Sequence, residues 1–79
     1  LAMELKGAGR AEEAEATLAE LSARAPEYVA TYLQWGMLLD ELGRVDEARS
    51  AFERGIEAAR AAGNAHALSE LQGALEGLG

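Results

Sequence analysis

The chain has 79 residues with no cysteine and one histidine, which excludes disulfides and metal sites built from thiolates or several imidazoles. Seven basic and fourteen acidic residues give a formal net charge of −7, which argues against binding nucleic acid through its phosphates. No apolar run has the length of a membrane span, and strong helix formers dominate the composition. The sequence therefore predicts an all-α domain without a cofactor or a metal.

The first predicted helices lie before Pro26. Gly7 and Gly9 are expected to end a first segment, and a second helix is expected over residues 10–24. Its apolar residues recur at helical spacing and are expected to face inward: Ala14, Leu18 and Leu21. Because Leu1 is not a start methionine and the first residues resemble the inside of a helix, we expect that an N-terminal portion is missing.

Two longer helices are predicted in the middle of the chain. Pro26 suits the first turn of a helix that extends to about Leu42, and Gly43 suits the position just past its end. The apolar stripe of this helix consists of Tyr28, Tyr32, Trp35 and Leu39. The next helix is expected over residues 45–61, with Ala48, Phe52, Gly55, Ile56 and Ala59 facing inward.

A last helix is predicted after Gly63, with Asn64 as its N-cap. Its apolar positions are Leu68, Leu71, Leu75 and Leu78, a spacing that also occurs in coiled coils. The turns between the predicted helices are short, which implies that consecutive helices run antiparallel.

The sequence contains an internal repeat of 34 residues. Shifting the chain by this length places residues 9–14, GRAEEA, on residues 43–48, GRVDEA. The same shift places Met3 on Met37 and Leu5 on Leu39. The match extends over a helix–turn–helix pattern rather than one alanine-rich patch, which indicates stacked helical hairpins.

These residues resemble the tetratricopeptide repeat, whose unit has 34 residues and a characteristic pattern of small and large apolar positions. The matching positions are Tyr32, Trp35, Gly36, Leu39, Gly43, Ala48 and Phe52 in one unit and Ala14, Leu18 and Pro26 in the unit before it. The sequence departs from the pattern at Gly55, where alanine is usual, and at Arg60, where proline is usual. The absence of that proline allows a longer second helix.

The resemblance implies an all-α solenoid of stacked antiparallel hairpins, in one domain over residues 1–79. We expect a truncated first repeat over 1–25, a complete repeat over 26–62 and a capping helix over 63–79, as in short bacterial members of the family. Trp35 and Phe52 are expected in the core by their family positions. The excess of arginine over lysine, with abundant alanine and glycine, also favours a bacterial source.

The family binds peptides or helices of other proteins on a concave face and is not known for catalysis. The groove positions carried over to this sequence are Met3, Lys6, Ala30, Leu33, Met37, Asp40, Glu41, His66 and Ser69. Two alternatives stay open: Leu33 and Met37 could pack only on neighbouring helices, and Asp40 and Glu41 could form a solvated helix end. The face lacks the lysine and asparagine clamp that chaperone-binding members use for a terminal carboxylate, which argues against that ligand.

Other candidate chemistry is weaker. His66, Ser69 and Glu70 lie too close together on one short helix to converge as a hydrolytic triad. Glu12, Glu13 and Glu15 do not have the spacing of a calcium loop and suit the start of a helix.

The sequence predicts a protein-binding module, with a self-associating scaffold that forms a homo-oligomer as the alternative. An enzyme is not expected. The partner is another protein rather than nucleic acid or a membrane, and the expected location is the cytoplasm.

Overall fold

The computed structural model describes the backbone of residues 2–78 and the side chains of residues 9–78. Four helices follow one another: α1 (Ala2–Arg24), α2 (Val29–Glu41), α3 (Val45–Ala62) and α4 (Ala65–Glu76). No strand occurs within the described backbone, so the predicted all-α class is confirmed. The groove candidates Met3 and Lys6 lie outside the residues whose side chains are described.

The prediction that Gly7 and Gly9 end a first segment is wrong, because α1 is continuous from Ala2 to Arg24. Gly9 has no positive φ, and a Cβ added to it would meet no atom within 4 Å. A glycine inside a helix costs about 1 kcal/mol, and the strong helix formers on both sides offset this cost.

The predicted inward face of α1 is only partly buried. Leu18 is half-buried, whereas Ala14 is exposed and the side chain of Leu21 keeps 43% of its surface accessible. The physical reason is that α1 packs on α2 along one side only. Its most buried side chain is instead Ser22, whose hydroxyl donates to the carbonyl oxygen of Ala19 at 2.7 Å.

The turn between α1 and α2 also differs from the prediction. Pro26 lies in the turn rather than in the first turn of a helix, and α2 begins three residues later at Val29. Tyr28 precedes α2 and is 65% exposed, so it does not belong to the buried stripe. The hydroxyl of Tyr32 donates to the carbonyl oxygen of Pro26 at 2.8 Å, which fixes this turn against α2.

α2 and α3 form a closely packed hairpin. Gly43 has a φ of +79°, which favours glycine, and it ends α2 as predicted. The next residue, Arg44, donates its backbone N–H to the carbonyl oxygen of Leu39 at 2.9 Å. Further along the hairpin the ring of Phe52 lies against the backbone of Gly36, where a Cβ would come within 2.4 Å of it.

The core lies between α2, α3 and α4. Its buried apolar residues are Val29, Leu39, Ala48, Ala51, Phe52, Ile56, Ala59 and Leu71. Phe52 is buried as predicted, but Trp35 is only half-buried because its indole lies at the edge of α2 that faces α1. The guanidinium of Arg54 covers the ring of Trp35 at 5.3 Å and that of Tyr32 at 5.6 Å, which are cation–π distances.

A polar network, which the sequence analysis did not predict, connects α1 to the hairpin. The indole N–H of Trp35 donates to Glu15 at 2.9 Å. Arg44 lies 3.5 Å from Glu15 and 3.4 Å from Glu12, and it also pairs with Glu47 at the start of α3. One arginine in the turn between α2 and α3 therefore contacts carboxylates of both α1 and α3.

We expect Gly36→Ala to destabilise the fold. The added methyl group would overlap the Phe52 ring, so the hairpin would have to open at a cost of about 1–3 kcal/mol. Gly73→Ala is the matched control, because Gly73 lies in α4 with no atom near its Cβ position, and there alanine should stabilise by about 0.5–1 kcal/mol. Urea unfolding of the two variants checks both signs, and equal effects would contradict the role of Gly36.

We expect Arg44→Gln to raise the pKa of the Glu47 carboxyl. The hydrogen bond from Arg44 lowers this pKa below its ordinary value of 4.5. The pair therefore stabilises the fold above about pH 4.5, and this contribution is lost as the pH falls through the lowered pKa. Carbon-detected NMR titration of Glu47 measures the change; Arg49→Gln is the control with the same loss of charge. A pKa of Glu47 that stays unchanged in Arg44→Gln would contradict the assignment.

A candidate binding groove between α2 and α4

The position of α4 is set by its N-terminus and by one buried leucine. Gly63 has a φ of +69° and ends α3, and the side chain of Asn64 accepts the N–H of Ala67 at 3.0 Å, so the predicted N-cap is confirmed. Leu71 is fully buried against α3, where its side chain contacts Gly55. Together the cap and Leu71 fix both the direction and the rotation of α4.

The leucine spacing of α4 does not form a free coiled-coil seam. Leu71 belongs to the core, and Leu68, Leu75 and Leu78 are half-buried against that core. These side chains therefore already pack within the chain, and a seam that joins them to a second helix stays a prediction.

A groove lies between α2 and α4, with a cavity of about 210 Å³. Its lining residues are Val29, Ala30, Leu33, Asn64, His66, Ala67, Glu70 and Leu71. They come from the N-terminal half of α2 and from the N-terminus and first two turns of α4. The two helices therefore start at the same end of the groove and run parallel to each other.

The structure brings together three of the residues that the sequence analysis proposed for the groove, namely Ala30, Leu33 and His66. Met37 is 56% exposed, and Asp40 and Glu41 are exposed as well. The spacing of these residues from Leu33 places them along the same face of α2, beyond the cavity. Ser69 is exposed but does not line the cavity.

The sequence analysis did not propose Asn64, Ala67 or Glu70 for the groove, although all three line it. Asn64 could have been found from its N-cap signal, because the cap of α4 lies at the mouth of the groove. The position of Glu70 depends on the rotation of α4 about Leu71, which the sequence alone does not specify.

The polar groups of the groove include one exposed pair on neighbouring turns of α4. His66 Nε2 lies 3.5 Å from Glu70 Oε1, with 87% of the His66 side chain and 51% of the Glu70 side chain exposed. Such an exposed pair contributes little stability and is free to exchange partners.

The ends of the groove differ in charge. α3 has Asp46 and Glu47 in its first turn and Arg60 in its last turn, which complements its helix dipole. α2 and α4 have no acidic residue in the first turn and no basic residue in the last turn. Both groove helices end instead with carboxylates, from Asp40 and Glu41 in α2 and from Glu76 in α4, so the C-terminal end of each helix is acidic.

A larger depression of about 460 Å³ lies on the outer surface of α3, but it is a weaker candidate. All its lining residues belong to that one helix, and Glu53, Arg54, Glu57 and Arg60 give it charges of both signs. A surface formed by one helix provides no second wall to hold a ligand. In the part of the chain that the structure describes, no helix is long and apolar enough to cross a membrane.

Comparisons with known proteins agree with the geometry. A family model described as tetratricopeptide repeat matches residues 5–74. The solution NMR structure of a tetratricopeptide repeat domain protein from Salinibacter ruber is similar, with 41% identity and a TM-score of 0.82 over 96% of this chain and 77% of that chain. The crystal structure of a tetratricopeptide repeat domain protein from the same organism has 41% identity and a TM-score of 0.80 over 100% of this chain and 91% of that chain. The comparison with curated proteins finds no match.

Proposed function

The chain belongs to the tetratricopeptide-repeat family, and on this premise we propose that it is a protein-interaction module that binds a segment of a partner protein between α2 and α4. Its role is to hold a partner rather than to catalyse a reaction. The proposal includes the division into a truncated repeat, a complete repeat and a capping helix, and a cytoplasmic location.

The observation that carries the proposal is the groove itself. The aliphatic side chain of Leu33 packs against the core but also lines a cavity that no side chain of the described structure fills. Met37, four residues later on the same face, is largely exposed. Exposed methionines suit binding surfaces because the flexible thioether adapts to different partners. The face therefore offers apolar surface along two turns of α2, which is what a partner segment requires.

We expect Met37→Glu to weaken the binding of partner segments. Selection of random dodecapeptides displayed on phage against the protein provides ligands, and their affinities are then measured by fluorescence anisotropy. The affinity of the selected peptides should fall at least tenfold, because an apolar side chain that packs on Met37 would have to cover a carboxylate instead and desolvate it. Leu21→Glu is the matched control, since Leu21 is an exposed apolar residue of α1 outside the groove. Peptides that bind Met37→Glu with full affinity would contradict the proposal.

Self-association is the second candidate. Ala14 and Leu21 of α1 occupy positions whose counterparts 34 residues later, Ala48 and Gly55, are buried by α2 and α4. The corresponding surface of α1 is open to solvent along an apolar strip. A second copy that covers this strip would remove the exposed leucine from water.

If the chain self-associates through α1, Leu21→Glu should shift the protein to the monomer. Multi-angle light scattering over a concentration series measures the mass of the original chain and of the variant. A mass that rises with concentration in the original chain and not in Leu21→Glu supports this candidate. A monomer at every concentration, or a variant that associates as strongly as the original chain, excludes it.

A further inference from the structure

We infer that the groove binds an extended partner segment at two points: a large apolar side chain fills the cavity beside Leu33, and a lysine or arginine three or four residues away contacts Asp40 and Glu41. This inference rests on the proposed function and adds the chemistry and spacing of the partner segment.

The cavity sets the size of the apolar side chain. Its volume of about 210 Å³ is on the order of the cavities of roughly 150 Å³ that accept a benzene ring. A single leucine or aromatic side chain therefore fits, whereas the backbone of a helix does not. The walls favour an apolar group, since Leu33, Ala67 and the buried Leu71 line the space.

The charge of the neighbouring surface sets the second contact. Asp40 and Glu41 lie on the face of α2 that carries Leu33, and both are exposed. No basic residue lies in the last turn of α2 or of α4, and Arg44, which follows α2, is paired with carboxylates of α1 and α3. Glu76 adds a carboxylate at the end of α4. A cationic side chain is the complement of this surface.

The helix geometry sets the spacing. Seven to eight residues separate Leu33 from Asp40 and Glu41, which at 1.5 Å per residue is about 10–12 Å along the helix axis. An extended segment rises about 3.3 Å per residue, so three or four residues cover this distance. The opposite end of the groove also carries a carboxylate, that of Glu70, which lies 3.5 Å from His66.

The test uses random dodecapeptides selected against three forms of the protein: the original chain, Asp40→Asn with Glu41→Gln, and Glu53→Gln with Glu57→Gln. The last double variant removes two carboxylates from the outer face of α3 and is the matched control. We expect peptides selected on the original chain to be enriched in a large apolar residue with a lysine or arginine three or four positions away. The control should give the same enrichment, and the groove variant should keep only the apolar residue.

Synthetic versions of the selected peptides give the affinities. We expect them to bind the groove variant about three- to fivefold more weakly than the original chain and the control, and this difference should disappear at high salt, because exposed ion pairs are weak and screened. Peptides that require Leu33 and Met37 but show no basic residue at this spacing would overturn the inference and leave the proposed function intact. The absence of any peptide that depends on Met37 would overturn both.

Discussion

The close packing of the Phe52 ring on the backbone of Gly36 is the contact on which the rest of the structure depends. Because Gly36 has no side chain, only the Phe52 ring separates the α2 backbone from α3 at that point. Gly55 has the same effect one turn later, where Tyr32 of α2 and Leu71 of α4 both approach the α3 backbone. Because Gly55 has no side chain, α2 and α4 both pack closely on α3, which holds them next to each other and parallel. The groove between α2 and α4 therefore depends on Gly36 and Gly55, the two glycines within the helices of the α2–α3 hairpin.

α1 is held by a different kind of interaction. Among the described side chains, none of those assigned to the apolar core comes from α1. The helix is connected instead by the hydrogen bond from Trp35 to Glu15 and by the ion pairs of Arg44. Because the described part of α1 adds no side chain to this core, we expect it to unfold locally before α2–α4. The groove belongs entirely to the α2–α4 part of the chain.

Features that depend on local chemistry could be predicted from the sequence. The turn glycine Gly43 and the cap Asn64 each have a signal within a few residues, and the structure has both where the sequence indicates. Features that depend on distant contacts could not be predicted in this way. Residues 9–14 and 43–48 share four of six residues, yet Gly9 is helical whereas Gly43 has a positive φ. The difference arises because α2 folds back over α3, and the hexapeptide itself carries no information about that contact.

The residues of the candidate site also divide into those that the sequence predicts and those that it does not. The positions of Ala30, Leu33 and His66 follow from the repeat pattern, because that pattern fixes which face of each first helix is left open. The position of Glu70 in the groove does not follow from the repeat pattern, because it depends on the rotation of α4 that the buried Leu71 sets. Trp35 shows the limit of the family pattern: its position is one that is normally buried, but here its indole N–H needs the carboxylate of Glu15 as a partner and stays at the edge.

The distribution of charge at the helix ends connects the fold to its function. Acidic residues at a helix N-terminus and basic residues at its C-terminus each stabilise by about 0.3–1 kcal/mol. α3, which lies behind the groove, has both features, whereas the two helices that line the groove have neither and end in carboxylates. α2 and α4 therefore lack a stabilising interaction with the helix dipole that α3 has. Departures from a local rule are expected where a surface meets a requirement other than folding, and in our proposal that requirement is the binding of a cationic segment.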